Sequence, residues 1–355
     1  MRAALRRPEA RRWVLVGLGG VLLASVVAAA GVGPLRIAPL EVVGLVVEKL
    51  GGRSPWPVSE QAGAVFWAIR VPRVALASLV GAGLATGGAA LQGLFRNPLA
   101  DPTLIGVSSG ASLGAVMAIG FGSLAFGSIS AALGLWLLPA MAFVGGLAAT
   151  AVCLRVGRVE GQTRTPLMLL AGIAVNALSG AGIGLAMHVV SDAQLRNLTF
   201  WMLGSLGGAT VRSVALVGPI LLGSVFGLLG VARSLNALLL GEREAHHLGV
   251  SVERVRLRVV LLTALAVGAS VGITGMIGFV GLVVPHLVRT LLGPDHRRLL
   301  PASALAGATL LVLADLGART VAAPAELPVG VVTALLGAPF FLWQLHSERS
   351  RAAER

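Results

Sequence analysis

Residues 74–94 read VALASLVGAGLATGGAALQGL, a stretch of 21 residues without a charged side chain. At about 1.5 Å per residue, a helix of that length crosses the ~30 Å hydrocarbon core of a bilayer. Gly83 and Gly87 form a GxxxG step, which allows helix backbones to approach closely where lipid gives no hydrophobic drive for association. The stretch predicts a membrane-spanning helix that packs tightly against its neighbours.

The rest of the chain extends this prediction. It has 355 residues, 56% of them hydrophobic, and a mean hydropathy of +0.88, which is far too apolar for a soluble domain. No stretch shows the short alternating strands of a membrane barrel. We predict an all-α polytopic membrane protein, a single transmembrane domain over residues 1–355. Its ten predicted spans are 13–32, 64–94, 103–120, 129–154, 165–188, 213–231, 257–274, 276–292, 302–318 and 328–345.

The distribution of positive charge orients these spans. With both termini in the cytoplasm, 20 of the 28 basic residues fall on the inner side, as the positive-inside rule requires. The formal charge of +13 therefore indicates membrane orientation and lipid contact, and we expect no nucleic-acid partner. Cleavage of the first span after "VVAAA" as a signal peptide is a less favoured alternative, because the apolar stretch is too long for one.

Several kinds of chemistry are disfavoured. The only lysine, Lys49, follows Glu48, so the chain has no phosphate-binding GxxxxGK[ST] loop. We find no Ser/His/Asp or Cys/His arrangement. His246 and His247 are more typical of a solvated helix face than of a metal site. We therefore expect no catalysis, no metal site and no cofactor bound by this chain.

Only one acidic residue, Asp315, falls within a predicted span. It lies near the outer end, and an i,i+4 ion pair with Arg319 would explain it. Ion-coupled secondary transporters keep ionisable groups near the membrane midplane. That class remains a disfavoured alternative, as does a membrane scaffold.

One segment breaks the apolar pattern. Residues 238–258 read LLLGEREAHHLGVSVERVRLR, with seven charged residues within 17 positions. The pattern predicts a short helix that begins at Glu242 and ends at Gly249, a C-cap glycine. A charged helix between two spans suits contact with a cytoplasmic partner.

Four motifs in order resemble those of the permease subunits of type II ABC importers (FecCD-like), the family that moves iron-siderophores, heme and vitamin B12. LGEREAHHLGVSVERVR (240–256) resembles the coupling loop of that family. The other three are RVPRVALASLVGAGLATGGAALQGLFRNPLADPTLIGVSSGASLG (70–114), GMIGFVGLVVPHLVRTLLGPDHRRLLPASALAGATLLVLAD (275–315) and ELPVGVVTALLGAPFFLWQL (326–345).

The resemblance implies a homodimer in the bacterial inner membrane, two cytoplasmic ATPase subunits that bind ATP and Mg, and a periplasmic binding protein. A cytoplasmic coupling loop at 233–256 would contact the ATPase. Its implied contact residues are Gly241, Glu242, Arg243, Glu244, Ala245, Leu248 and Gly249. Arg70, Arg73 and Arg319 would receive acidic residues of the binding protein at the outer rim, although arginines reaching from helix ends would look the same. Asn97 and Leu99 would form an inner gate.

The segments LAGIAVNALSGAG (170–182) and SDAQLRNLTFWMLGSLGGA (191–209) resemble the heme-importing branch. The implied substrate contact is Arg196, since a guanidinium pairs well with heme carboxylates. A helical ion pair between Arg196 and Asp192 is the structural alternative. Met187, His188 and Met202 are weak candidates for iron ligands. Import of a ferric siderophore or vitamin B12 by the same architecture stays open.

Overall fold

The computed structural model describes residues 8–353 except 34, 55 and 126–132, and these residues form a helical bundle. The helices are α1 (Pro8–Gly31), α2 (Pro39–Lys49), α3 (Glu60–Val65), α4 (Val71–Leu94), α5 (Val107–Ala125), α6 (Leu137–Val156), α7 (Thr165–Val189), α8 (Asp192–Met202), α9 (Val211–Gly230), α10 (Ala232–Leu239), α11 (Glu242–His247), α12 (Val252–Thr274), α13 (Val280–Leu292), α14 (His296–Thr320) and α15 (Val329–Ala353). A π-helical turn (Phe66–Arg70) joins α3 to α4, and 3-10 turns precede α5 (Pro102–Ile105) and α6 (Gly134–Trp136). Strands β1 (Arg158–Val159) and β2 (Gln162–Thr163) form a hairpin between α6 and α7.

The all-α prediction is confirmed. Within the described ranges, seven helices are long and apolar enough to cross a membrane, and three shorter apolar helices match the third, eighth and tenth predicted spans. The eighth span was predicted to begin at 276, but its helix begins at Val280, because Gly275 (φ 70°) and Phe279 (φ 67°) interrupt the helical backbone. The first residues of the fourth predicted span, 129–132, lie outside the described part of the chain.

Helix α4 occupies the centre of the bundle and packs against α9, α12, α13 and α14. Most of its side chains are buried, whereas α1 and α7 expose much of their apolar surface. Exposed side chains such as Leu23 and Leu178 suit contact with lipid tails. The quoted stretch 74–94 is thus the core of the protein, not its lipid-facing surface.

Glycines bring the central helices into backbone contact. A Cβ atom added at Gly81 would collide with the carbonyl group of Gly307 in α14, and one added at Gly88 would collide with that of Gly281 in α13. Of the GxxxG steps, the pairs at 83/87 and 110/114 face close neighbours, while Gly180 and Gly184 face nothing within 4 Å in the described chain. The close packing of the central helices therefore depends on glycine, which has no side chain, at particular positions.

We expect Gly81→Val to destabilise the permease by about 1–3 kcal/mol or more, because a rigid backbone carbonyl cannot move aside for the new side chain. The matched control is Gly223→Val, where the added Cβ meets no atom within 4 Å. Thermal unfolding in detergent is the measurement. Equal midpoints for the two variants would contradict a packing role for Gly81.

Candidate functional site at the two ends of the bundle

The coupling segment, residues 233–256, contains α10 except its first residue, all of α11 and the start of α12. Gly241, with a φ of 121°, interrupts the helical backbone after α10, and α11 begins at Glu242 as predicted. At its other end, the Val250 N–H donates to the Ala245 carbonyl and the Gly249 N–H to that of His246, both over 2.9 Å. These two bonds, with Gly249 at φ 79°, make a Schellman motif. The predicted C-cap glycine is confirmed.

Helix α11 turns one face inward and the others outward. Ala245 is fully buried against the bundle, whereas Arg243, Glu244 and Leu248 are exposed, Leu248 at 63%. Leu240, just before the helix, is 67% exposed. Exposed leucines between charged side chains are typical of a surface that a partner protein covers.

Arg256 holds this segment in place from the first turn of α12. Its side chain is only 6% exposed, and it pairs with Glu242 at 2.7 Å and with Glu253 at 3.0 Å. It also donates to the Thr163 carbonyl of the β1–β2 hairpin over 2.7 Å. The sequence prediction treated Glu242 as a contact for a partner, but its carboxylate is already bound by Arg256. Glu244 has no such bond in the described chain.

A second polar contact fixes α10. The Asn236 side chain donates to Asp295 over 2.6 Å and accepts from the His296 backbone N–H over 2.8 Å. Burial acts to raise the pKa of Asp295. Hydrogen bonds from Asn236 and the Arg297 N–H, with the nearby Arg298 and Arg297 charges, nevertheless hold that pKa below its ordinary value. The coupling segment is therefore attached to both α12 and α14.

We expect Arg256→Gln to lower the free energy of unfolding by about 1–3 kcal/mol, because two carboxylates and a carbonyl lose their donor. The control is Arg254→Gln, which removes an exposed arginine two residues away. Thermal unfolding in detergent and the rate of tryptic cleavage within 240–258 are the measurements. If Arg256→Gln were as stable to heat and as resistant to trypsin as the control, the role of Arg256 would be contradicted.

The predicted gate residues lie in an exposed turn after α4. The Leu99 N–H donates to the Asn97 side chain over 2.9 Å, and Arg96 adopts φ 50° to complete the turn. Gly93, just before this turn, contacts the ring of His296 at the start of α14. The turn thus lies at the same end of the bundle as the coupling segment, and its role as a gate stays a prediction.

At the opposite end, five residues form what we call the arginine cluster: Arg70, Arg73, Asp315, Arg319 and Glu326. Arg70 donates to the carbonyls of Ala30 and Gly31 over 2.6 Å each and to that of Leu35. Arg319 donates to the carbonyl of Ala29. The carbonyls of Ala29, Ala30 and Gly31 lie at the C-terminus of α1, where a helix lacks internal donors and carries partial negative charge.

Asp315 joins the two central helices in this cluster. Both of its oxygens accept from the Arg73 Nε, at 2.9 and 3.1 Å, while the Arg319 Nε lies at 3.6 Å. The prediction of a local pair with Arg319 therefore identified the weaker partner. It missed Arg73 because that residue is 242 positions away in the sequence.

The cluster also corrects a prediction about exposure. Arg70, Arg73 and Arg319 were expected at the outer rim as contacts for a binding protein. They lie close together at one end of the bundle, but they are only 3%, 6% and 5% exposed. They are buried because the α1 carbonyls, Asp315 and Glu326 already bind them, and their contact with a binding protein stays a prediction. Only Glu326 is substantially exposed, at 46% of its side chain.

Arg196 lies on the short helix α8, which follows α7. A capping box between Ser191 and Gln194 starts the helix, and Gln194 donates to the carbonyls of Ile119 and Gly120 in α5. Leu198 is fully buried, and Arg196 is exposed. Among the described residues Arg196 forms no ion pair with Asp192, so the local pairing alternative is not seen.

The candidate iron ligands do not form a site. Met187 packs in an apolar cluster with Val116 and Leu198, while His188 is exposed and Met202 is partly buried. In the described ranges, no group of three or more His, Cys, Asp or Glu side chains could hold a metal ion.

The sequence prediction separated the seventh and eighth spans at residue 275 alone, whereas a longer non-helical loop, residues 275–279, lies between α12 and α13. The loop and the 101–103 turn line a cavity of about 340 Å³. Such backbone is tolerated at membrane depth only where protein buries it or where it lines a cavity. Gly275 and Gly278 were a signal of this break that the hydropathy pattern concealed.

Comparison with known proteins identifies the architecture. The model of the FecCD transport family matches residues 21–347, which is nearly the whole chain. This chain belongs to the FecCD transport family. It is therefore a multi-pass permease of type II ABC importers and not an enzyme, since ATP hydrolysis in this family belongs to a separate subunit. Family membership also implies a binding-protein partner.

Individual relatives differ in substrate. The chain is 48% identical over 286 residues to the hemin transport system permease protein HmuU of Yersinia pestis, covering 80% of this chain and 83% of that protein. It is 42% identical over 319 residues to the cobalamin import system permease protein BtuC of Halobacterium salinarum, covering 86% and 83%. A solved metal-chelate type ABC transporter in an inward-facing conformation matches with a TM-score of 0.82 and 31% identity, covering 95% of this chain and 99% of that one.

Proposed function

We propose that this FecCD permease conducts heme. The observation that carries the proposal is Arg196 on α8, which is exposed and has no ion-pair partner among the described residues. Gln194 and Leu198 anchor this helix to the bundle. Heme presents two carboxylates, and a guanidinium can bind a carboxylate through two parallel hydrogen bonds. The identity to a hemin permease supports the same substrate.

We further propose that two copies form a homodimer in the bacterial inner membrane, with both termini in the cytoplasm. Gly180 and Gly184 on α7 have no neighbour within 4 Å among the described residues, so this helix can approach a second copy closely. The distribution of arginines supports the orientation. A path along the dimer axis would place one Arg196 on each side of a dianionic substrate.

The coupling segment is the proposed contact for the ATPase. Its exposed surface combines Leu240 and Leu248 with charged side chains. Arg256 fixes α11 to α12, and Asn236 fixes α10 to the start of α14. A force applied to the coupling segment is therefore transmitted to two long helices of the bundle. This is the connection that an importer driven by ATP needs.

The binding protein would dock at the end that holds the arginine cluster. Glu326 is the exposed member and pairs with Arg73 at 3.0 Å. An acidic residue of the binding protein would take its place on Arg73. Docking would thus replace an internal ion pair by one between proteins, without uncovering Arg70 or Arg319.

For the substrate, we expect Arg196→Ala to lower kcat/KM for ATP-dependent heme uptake about 10- to 100-fold, through loss of charge-assisted hydrogen bonds. Folding and basal ATPase activity of the complex should stay unchanged, because the side chain has no partner in the described chain. Uptake into proteoliposomes per folded dimer is the measurement. Arg53→Ala, another exposed arginine, is the control.

Two outcomes would overturn the heme proposal. Normal heme uptake by Arg196→Ala would show that this residue does not bind the substrate during transport. Uptake of cobalamin but not of heme by the wild-type complex would instead favour the substrate class of the archaeal relative.

For the coupling segment, we expect Leu248→Asp to weaken ATPase binding about 10- to 100-fold, because burying an exposed leucine contributes about 1.5–3 kcal/mol. Leu50→Asp is the matched control, since Leu50 is 82% exposed and follows a short helix outside the coupling segment. Co-purification with the ATPase and uptake at increasing ATPase concentration are the measurements. Wild-type assembly and transport in Leu248→Asp would contradict the proposal.

A further inference from the structure

The hairpin between α6 and α7 has a fixed conformation. Arg158 pairs with Thr163 and Val159 with Gln162, and the two turn residues, Glu160 and Gly161, have φ values of 52° and 79°. Positive φ at both central residues is typical of a type I′ turn, whose twist matches that of the flanking strands. The hairpin is therefore an ordered protrusion between two spans.

The hairpin is attached to the coupling segment. Glu253 accepts from the Thr163 hydroxyl over 2.5 Å and from its backbone N–H over 3.1 Å. Arg256 donates to the Thr163 carbonyl over 2.7 Å and to Glu242 at the start of α11 over 2.7 Å. One buried guanidinium thus connects the hairpin, α11 and α12, and these elements present one surface.

A groove of about 670 Å³ lies between the hairpin and the coupling segment, with Gln162 on one side and Arg243, His246, His247 and Arg254 among the residues on the other. Arg256 pairs with two carboxylates, those of Glu242 and Glu253, and the arginines that line the groove exceed its carboxylates by one. In the described chain, Arg243 and Arg254 have no carboxylate within ion-pair distance. The groove therefore carries unpaired positive charge and is complementary to carboxylates.

The size of α11 is also informative. Six residues make a helix only about 9 Å long, whereas a stable protein interface usually buries about 800 Å² on each partner. A helix this short needs neighbouring elements to complete such an interface. The hairpin is the neighbour that the Arg256 contacts fix beside it.

We propose that the hairpin, residues 158–163, is a second docking element for the ATPase subunit, and that the groove receives an acidic segment of that subunit. This inference rests on the proposed function, in which the coupling segment contacts the ATPase. It adds a second contact region and specifies the chemistry of the partner: carboxylates on a segment narrow enough to enter the groove.

Site-directed photo-crosslinking tests the contact. Cys153 is the chain's single cysteine and is buried, so a Cys153→Ala background allows one new thiol at a time. Gln162→Cys and His246→Cys would be labelled with benzophenone maleimide in the assembled complex, with Leu50→Cys as the control outside both elements. We expect ATPase adducts from positions 162 and 246 and none from position 50.

The result separates the two proposals. An adduct from position 246 alone would overturn the second docking element and leave the coupling segment intact as the contact. No adduct from either position would overturn both. Adducts from 162 to lipid or to the second permease copy, without any to the ATPase, would assign the hairpin to another surface and also overturn the inference.

Charge reversal tests the chemistry of the occupant. We expect Arg243→Glu with Arg254→Glu to raise the dissociation constant for the ATPase about tenfold or more and to reverse the effect of added salt. Arg36→Glu with Arg53→Glu is the matched control, at two exposed arginines outside the groove. An unchanged dissociation constant in the groove variant would rule out an acidic occupant.

Discussion

At the centre of the bundle, the backbones of α4 and α14 touch where Gly81 meets Gly307. No side chain separates them, so the two antiparallel helices are fixed in one register. Arg73 and Asp315 each lie eight residues from this contact, about 12 Å along their helices, and they meet in the arginine cluster. In the other direction, Gly93 reaches His296 beside the coupling segment. One glycine contact thus aligns both ends.

The arginine cluster and the group of residues around Arg256 are stabilised in the same way. A charge removed from water is tolerated only where opposite charges and hydrogen bonds compensate it. Arg73 and Asp315 satisfy each other between two helices, and Arg256 is balanced by two carboxylates and a carbonyl. Breaking either group would leave buried charge without a partner, so each holds its helices in one arrangement.

These clusters suit the work of an importer. Glycine contacts between backbones make the centre stiff, whereas the coupling segment and the arginine cluster are polar and lie at opposite ends. A partner that pulls on Glu242 or replaces Glu326 acts on a long transmembrane helix through one guanidinium. The described membrane-spanning helices need no titrating residue to drive transport, because ATP hydrolysis on the separate ATPase subunit supplies the energy.

Local patterns in the sequence predicted the ten apolar helices and the position of α11. Hydropathy reflects the free-energy cost of placing each residue in lipid, which does not depend on the fold. Gly241 and Gly249 determine the backbone within a single turn, so their effect can also be predicted without knowing the fold. The burial of Arg70, Arg73 and Arg319 and the connection of Arg256 to Thr163 could not be predicted. They depend on contacts between residues up to 290 positions apart. Such pairs are decided by how the helices pack, and only the tertiary structure brings them together.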